Sequence, residues 1–194
     1  MPKLAPDARQ KILASARQLM VSGGYHGTGT EAIIRQAGVS KGSFFYHFAD
    51  KTQLAEAMPE VYFEQELEAP FLAALARHAH PRAGLIQFID DVAGWYKESG
   101  WKGGCLLGNL SLELADAEPR LRALMARMFV IWEKQILNAI KGHRLTLPPD
   151  SFATLYIAAL EGVSMTIKTH KNSRKAAREF EACRALVRMA FEDI

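Results

Sequence analysis

The stretch Ala37–Phe48, AGVSKGSFFYHF, is the feature that most restricts the fold of this chain. Gly38 is free to take a positive φ, and Ser40 directly after it is a residue type that caps helices. Helical spacing precedes this turn, over residues 29–36, and a second short helix is predicted over 40–46. Two short helices joined by a glycine turn form a helix-turn-helix, a motif whose second helix enters the major groove of DNA.

The aromatic residues of the second short helix divide into two faces. Phe44 and Phe48 lie four residues apart, so we expect both to point inward, onto Ile33 and the first helix. Gly42 would let a phosphate or a base approach the backbone. The spacing leaves five side chains for the outer face: Lys41, Ser43, Phe45, Tyr46 and His47.

The rest of the chain also reads as helices, because alternating β-branched runs and hairpin turns are nearly absent. The fourth predicted helix has Pro59 and Pro70 as expected kinks. An all-α fold of about nine helices follows. The predicted helices are 7–22, 29–36, 40–46, 50–79, 82–98, 105–115, 119–141, 150–170 and 174–192.

Two capping boxes are predicted beside the motif. In Thr28–Glu31 the threonine oxygen would accept an early helix N–H, and in Asp50–Gln53 the aspartate would do the same. Lys51 falls in the first turn of the fourth helix, where a cation and free N–H groups together suit a phosphate.

Composition narrows the class of protein. The first 53 residues hold seven Lys/Arg against three acids, and the other 141 hold 17 against 18, which favours an anionic partner for the first quarter. Two distant cysteines, without a Cys/His cluster, argue against a disulfide framework or a zinc site and favour a reducing cytoplasm. No apolar run reaches the roughly 18–20 residues of a membrane span, and charges interrupt the N-terminal apolar pattern, so no signal peptide is expected.

The segment GYHGTGTEAIIRQAGVSKGSFFYHFADKTQL resembles the DNA-binding part of TetR-type transcriptional regulators. The resemblance implies a homodimer whose last two helices form the interface, with a DNA-binding domain (1–52) and a ligand-binding and dimerisation domain (53–194). Two positions depart from the family pattern: Gly29 replaces a hydroxyl residue, and Phe45 stands where a phosphate-binding tyrosine is usual. Either Tyr46 takes over that contact or DNA affinity is lower. The expected DNA-binding residues are Thr28, Thr30, Ser40, Lys41, Gly42, Ser43, Phe45, Tyr46, His47 and Lys51.

The segment WKGGCLLGNLSLELAD (101–116) resembles the GCLLGN-type helix of a TetR-type subgroup, which lies by the effector pocket and the dimer interface. Cys105, Asn109 and Glu113 are spaced by four and share one stripe of an otherwise apolar helix, as expected for groups that orient a ligand. The alternative is structural: a small core cysteine, an amide bound to a loop and a solvated carboxylate. The further candidates for effector contacts are Tyr62, Phe63, Trp95, Trp132 and Lys168, with core packing as the alternative for the aromatic ones.

Cys105 also supports a second hypothesis, a thiol-based sensor repressor that responds to electrophiles or oxidants. A helix N-terminus and a nearby Lys102 would both lower the pKa of its thiol, and Lys168 could face it across the pocket. An inert buried cysteine is the alternative.

The sequence thus predicts a ligand-responsive repressor with an operator DNA, a small partly apolar effector and a second copy of the chain as partners, without a cofactor or a metal. An all-α enzyme is the first rival, but no nucleophile or acid–base set is evident, so no enzymatic activity is expected. A helix-turn-helix that serves only protein association is the second rival.

Overall fold

The computed structural model describes residues 7–191, which contain nine helices and one isolated bridge between Leu145 and Phe191. Two residues used in the predictions lie outside that range: Lys3 of the basic first quarter and residue 192, the predicted end of the ninth helix. The helices are α1 Ala8–Gly23, α2 Thr30–Ala37, α3 Lys41–His47, α4 in three consecutive segments (Lys51–Tyr62, Phe63–Glu68, Ala69–Ala76), α5 Pro81–Glu98, α6 Leu106–Leu114, α7 Pro119–Ile140, α8 Pro149–His170 and α9 Ser173–Ala190. The predicted all-α fold is confirmed, with helix ends within about three residues of expectation.

Helix α4 is interrupted between its two prolines rather than at them. Pro59 lies inside the first segment, and Pro70 lies in the first turn of the third. Between them Phe63–Glu68 is π-helical. A π-segment widens the backbone locally and is a recognised cause of bending in a long helix.

The chain folds as two compact units that are not divided by a single cut in the sequence. One unit contains the described residues through Tyr62 together with Cys105–Ala126, and the other contains Phe63–Gly104 and the residues from Arg127 onward. We call them the N-terminal unit and the C-terminal unit. The predicted functional division at residue 52 stays a prediction.

The N-terminal unit packs α2, α3, α4 and α6 around α1. Its core includes Ile12, Ala16 and Met20 of α1 and Leu54 of α4, all almost fully buried. In the C-terminal unit the third segment of α4 packs on α5, α5 packs on α9, and α9 packs on α8. The buried Tyr156 hydroxyl of α8 donates to the carbonyl of Leu85 in α5 at 2.9 Å, and burial raises its pKa well above the usual value.

Candidate nucleic-acid interface

The start of α3 is fixed by the two signals that the sequence predicts. Gly38 takes the left-handed conformation (φ 63°, ψ 35°) and ends α2, with its N–H bonded to the carbonyl of Arg35. The Ser40 hydroxyl then accepts the N–H of Ser43 at 3.1 Å, which caps α3. Two short helices joined by a tight turn with a left-handed glycine are the geometry of a helix-turn-helix.

The two faces of α3 are as predicted. Phe44 (0% exposed) and Phe48 (2%) are in the core, and the Arg9 guanidinium lies 5.6 Å from the Phe48 ring centre. On the outer face Tyr46 is 85% exposed and Phe45 is 46% exposed. Lys41, Gly42 and Ser40 are exposed as well, and Ser43 and His47 are half-buried. The outer face therefore offers a cation, hydroxyl groups and an exposed aromatic ring, groups that contact phosphates and base edges.

The predicted capping box at Thr28 is wrong. Gly29, which has no side chain, is the N-cap residue of α2, and α2 begins at Thr30. Thr28 is buried, and its hydroxyl donates to the carbonyl of Gly24 at 2.7 Å. Thr30 is half-buried in the first turn of α2. The predicted box at Asp50 forms in its first half: the Asp50 carboxylate accepts the N–H of Gln53 at 2.7 Å, whereas the Gln53 side chain accepts the N–H of Ala49 instead of that of Asp50.

Lys51 lies against the α1–α2 turn, which we define as residues 24–29. Its Nζ donates to the carbonyls of Tyr25 (3.0 Å) and Thr28 (3.1 Å) and lies 4.1 Å from the centre of the Tyr25 ring. An ammonium group has three N–H donors, so these two bonds leave one for a phosphate. The predicted phosphate contact of Lys51 stays a prediction.

The turn itself depends on a close approach at Gly27. A Cβ added there would lie 2.4 Å from the carbonyl oxygen of Gly23, far inside van der Waals contact. Tyr25 completes the turn: its ring is buried and its hydroxyl lies 3.3 Å from that of Thr52. Sequence reasoning missed Tyr25, because its importance comes from Lys51, which is 26 residues away.

The polar stripe of α6 faces partners within the N-terminal unit. Cys105 is the N-cap residue of α6 and is buried, and its sulfur accepts the Tyr62 hydroxyl at 3.7 Å. Asn109 Nδ2 donates to the carbonyl of Val21 at 3.5 Å. The Glu113 carboxylate accepts two backbone N–H groups of the α1–α2 turn. The stripe therefore contacts α4, α1 and the turn in order.

The other candidates for effector contacts, Phe63, Trp95, Trp132 and Lys168, belong to the C-terminal unit, whereas Tyr62 is the last residue of the N-terminal unit's first stretch. Phe63 and Trp132 are buried, Trp95 is 36% exposed and Lys168 is half-buried. Their effector contacts stay predictions.

Two buried polar atoms on α7 have no hydrogen-bond partner among the described residues: Nε1 of Trp132 and Oε1 of Gln135. Gln135 Nε2 donates to the Glu68 carboxylate, which fixes the orientation of the amide. Residues three apart on a helix share a face, so the donor and the acceptor belong to the same face of α7. Sequence reasoning missed Gln135; a polar residue one turn after a buried tryptophan was the available signal.

The histidines and cysteines show no arrangement suited to a metal. Within residues 7–191 no group of three or more His, Cys, Asp or Glu side chains could hold an ion. His80 instead caps α5: its Nδ1 accepts the N–H of Arg82 at 3.1 Å, and its ring lies 4.7 Å from that of His143. Partial desolvation lowers the pKa of His80 below its usual value, and repulsion from His143 and Arg82 lowers it further. Burial raises the pKa of the other cysteine, Cys183.

Within the same range, none of the helices combines the length and the apolar character that crossing a bilayer requires.

Comparison with protein families gives matches in both parts of the chain. Residues 12–58 match the family described as bacterial regulatory proteins, tetR family. Residues 81–179, about half of the chain, match the C-terminal domain of LmrA/YxaF-like transcriptional regulators. The first match spans α2, the glycine turn and α3, the same elements that the geometry identifies as a helix-turn-helix.

Individual proteins are similar over most of the chain. The transcriptional regulator LmrA of Bacillus subtilis is 32% identical over 175 residues, which cover 86% of this chain and 89% of LmrA. The regulator AcuR of Cereibacter sphaeroides is 30% identical over 180 residues, covering 86% and 80%. Among solved structures, the reduced form of Escherichia coli NemR superposes with a TM-score of 0.80 at 22% identity, covering 96% of this chain and 98% of that one.

Proposed function

The chain belongs to the tetR family of bacterial regulatory proteins, and we propose that it is a repressor that leaves its operator DNA when a small, partly apolar effector binds. The observation that carries the proposal is the outer face of α3, where a serine cap and a glycine turn present Lys41 and Tyr46 to solvent on a helix whose other face is core. It acts in the cytoplasm, where its DNA is.

In this mechanism a dimer places two α3 helices in successive major grooves, roughly 34–36 Å apart. Lys41, Ser43 and Tyr46 contact base edges and phosphates, and the remaining N–H of Lys51 contacts a phosphate. Effector binding shifts α4, whose first turn contains Lys51, and so changes the separation of the two α3 helices. A coupling free energy of about 1–3 kcal/mol would change DNA affinity by roughly 5–150-fold.

The dimer forms through α8 and α9. On α8 a stripe of Leu155, Ala158, Gly162 and Met165 repeats at three-and-four spacing; Gly162 is half-buried and the other three are exposed, and a Cβ on Gly162 would meet nothing within 4 Å. Small and apolar residues in this pattern suit a helix that packs against its own copy across a two-fold axis. Sedimentation of the Met165→Glu variant tests this: a dimer that stays intact would contradict the proposed interface.

The effector binds in the C-terminal unit, at the α7 face that carries Trp132 and Gln135. The unpaired indole N–H would donate to an acceptor on the effector, and the unpaired amide oxygen would accept from a donor. Because Glu68 holds the amide, a carboxylate is disfavoured there, and a hydroxyl or amide group fits better. Trp132→Phe keeps the aromatic packing and removes the donor, so we expect it to weaken the response to an effector more than it weakens DNA binding.

The second candidate is a thiol sensor at Cys105. The observation that favours it is the position of this cysteine at the N-cap of α6, beside the Tyr62 hydroxyl, since a helix N-terminus stabilises a thiolate. NemR, a repressor 24% identical over 144 residues, is among the relatives. The rate of Cys105 alkylation in the Cys183→Ser variant tests the idea: a rate no faster than that of a model thiol would reject it.

Fluorescence anisotropy with the DNA that flanks this protein's own gene, over a salt series, tests the main proposal. We expect specific binding whose log K falls by about 0.9 per phosphate neutralised for each tenfold increase in salt. The double variant Lys41→Ala/Tyr46→Ala should bind more weakly. A shallow salt dependence without preference over random DNA would instead indicate a motif that serves protein association.

A further inference from the structure

We propose that Glu113 is a positioning residue for DNA binding: from α6, it holds the α1–α2 turn in the conformation that sets the entry of α2 and α3. The proposal rests on the proposed DNA-binding function and adds to it a residue outside the segment 12–58 that matches the DNA-binding family. All the contacts that carry it lie within the N-terminal unit.

The Glu113 carboxylate binds the turn with both oxygens. Oε1 accepts the N–H of Tyr25 at 3.1 Å, and Oε2 accepts the N–H of His26 at 3.2 Å, across 88 and 87 residues of sequence. Hydrogen bonds to an ionised acceptor are about twice as strong as those between neutral groups. Gly24 makes the approach possible, because it has φ 78° and a Cβ there would lie 2.9 Å from Glu113 Oε1.

Lys51 binds the same turn through its carbonyls. Its ammonium donates to Tyr25 and Thr28, so the N–H groups of the turn are held by an anion and its carbonyls by a cation. The residue that follows, Gly29, is the N-cap of α2 and has no side chain to cap it. The direction in which the chain enters α2 therefore depends on how the turn is held.

The packing of α6 does not depend on Glu113. Four leucines of the same helix are buried in the core instead: Leu106, Leu107, Leu110 and Leu114. Glu113 itself is half-buried. Loss of its carboxylate should therefore release the turn while α6 stays packed. The chain passes from the C-terminal unit into the N-terminal unit between residues 104 and 105, directly before α6. Helix α6 is therefore joined through the backbone to the C-terminal unit.

The Glu113→Gln variant tests the proposal, with Asp116→Asn as the matched control. Glutamine keeps the size of the side chain but opposes a backbone N–H with an NH₂ donor. Asp116 is exposed, two residues after α6 ends, so its substitution removes the same charge without touching the turn. Removal of a negative charge alone leaves DNA binding unchanged or strengthens it. A positioning role predicts instead that Glu113→Gln weakens DNA binding.

We expect Glu113→Gln to weaken binding to the DNA that flanks the gene by about fivefold or more, with Asp116→Asn at or above wild-type affinity. The amides of Tyr25 and His26 should exchange faster with solvent in Glu113→Gln only. Leu121→Val, a core substitution on α7 in the same unit, should lower stability without lowering DNA affinity, which separates positioning from general destabilisation.

Equal DNA affinity of the Glu113→Gln and Asp116→Asn variants would overturn the proposal. An unfolded Glu113→Gln variant would also overturn it. That result would show that the four leucines do not keep α6 packed without the Glu113 carboxylate. If the wild-type protein shows no preference for its flanking DNA, the proposed function itself is contradicted. If the wild type binds that DNA specifically, the affinity of the Glu113→Gln variant tests the role of Glu113 alone.

Discussion

Phe44 and Tyr46 are two residues apart on α3, and their exposure predicts opposite consequences for the same substitution. Phe44 is 0% exposed and Tyr46 is 85% exposed. Truncating a buried phenylalanine to alanine typically costs about 3–5 kcal/mol, a large part of the roughly 5–15 kcal/mol that stabilises a protein of this kind. A surface substitution usually changes stability by less than about 0.5 kcal/mol.

DNA affinity should show the reverse pattern. If Tyr46 contacts the operator, Tyr46→Ala should lose about 1–3 kcal/mol of binding free energy, or roughly 5–150-fold in Kd. Tyrosine is uncharged at neutral pH, so the slope of log K against log salt should not change. Tyr46→Phe keeps the ring and removes the hydroxyl, so it separates stacking on the DNA from hydrogen bonding to it.

Urea unfolding followed by circular dichroism gives the stability of each variant, and anisotropy gives the DNA affinity at a temperature where each is folded. A loss of more than about 1 kcal/mol of stability in Tyr46→Ala would show that this ring is core. An unchanged Kd in the same variant would refute its place in the DNA interface. Either result would contradict the division of α3 into a core face and a DNA-binding face.

Three further perturbations test other parts of the structure. Lys41→Ala should reduce the salt slope of DNA binding by about 0.9, the share of one phosphate contact; an unchanged slope would remove Lys41 from the interface. Gly27→Ala should cost about 1–3 kcal/mol of stability in urea unfolding, because its Cβ would overlap a carbonyl. Gly29→Ala has open space around it and should lose only the roughly 0.5–1 kcal/mol by which glycine exceeds alanine as an N-cap. The lowered pKa of His80 favours the neutral form in the folded state, so its contribution to stability is lost as pH falls below the usual histidine value of 6.5. His80→Asn keeps a capping group that does not titrate, and unfolding at pH 7.5 and 5.5 should then show a smaller difference than in wild type.

The helices and the helix-turn-helix were predictable because their signals are local. Gly38 takes the positive φ expected at the turn, Ser40 and Asp50 cap as expected, and the four-residue spacing of Phe44 and Phe48 places both in the core. Thr28 shows where this reasoning fails. Its position fits a capping box, but its hydroxyl is buried on a carbonyl of the preceding turn, and a glycine takes the cap position instead.

For the polar stripe of α6, the sequence predicted the shared face but not its contacts. Its four-residue spacing correctly placed Cys105, Asn109 and Glu113 on one face, but helical periodicity does not say what that face meets. The structure directs it at Tyr62, α1 and the α1–α2 turn.

By itself, then, the sequence determined which segments are helical, the glycine turn and the two faces of α3, since each depends on residues within about four positions of one another. Only the tertiary structure decided that Lys51 and Glu113 bind the carbonyls and the N–H groups of one turn, because those contacts join residues 23 to 88 positions apart. The same holds for the unpaired polar atoms of Trp132 and Gln135, since burial of a polar group without a partner is a property of the surrounding core and not of the helix that carries it.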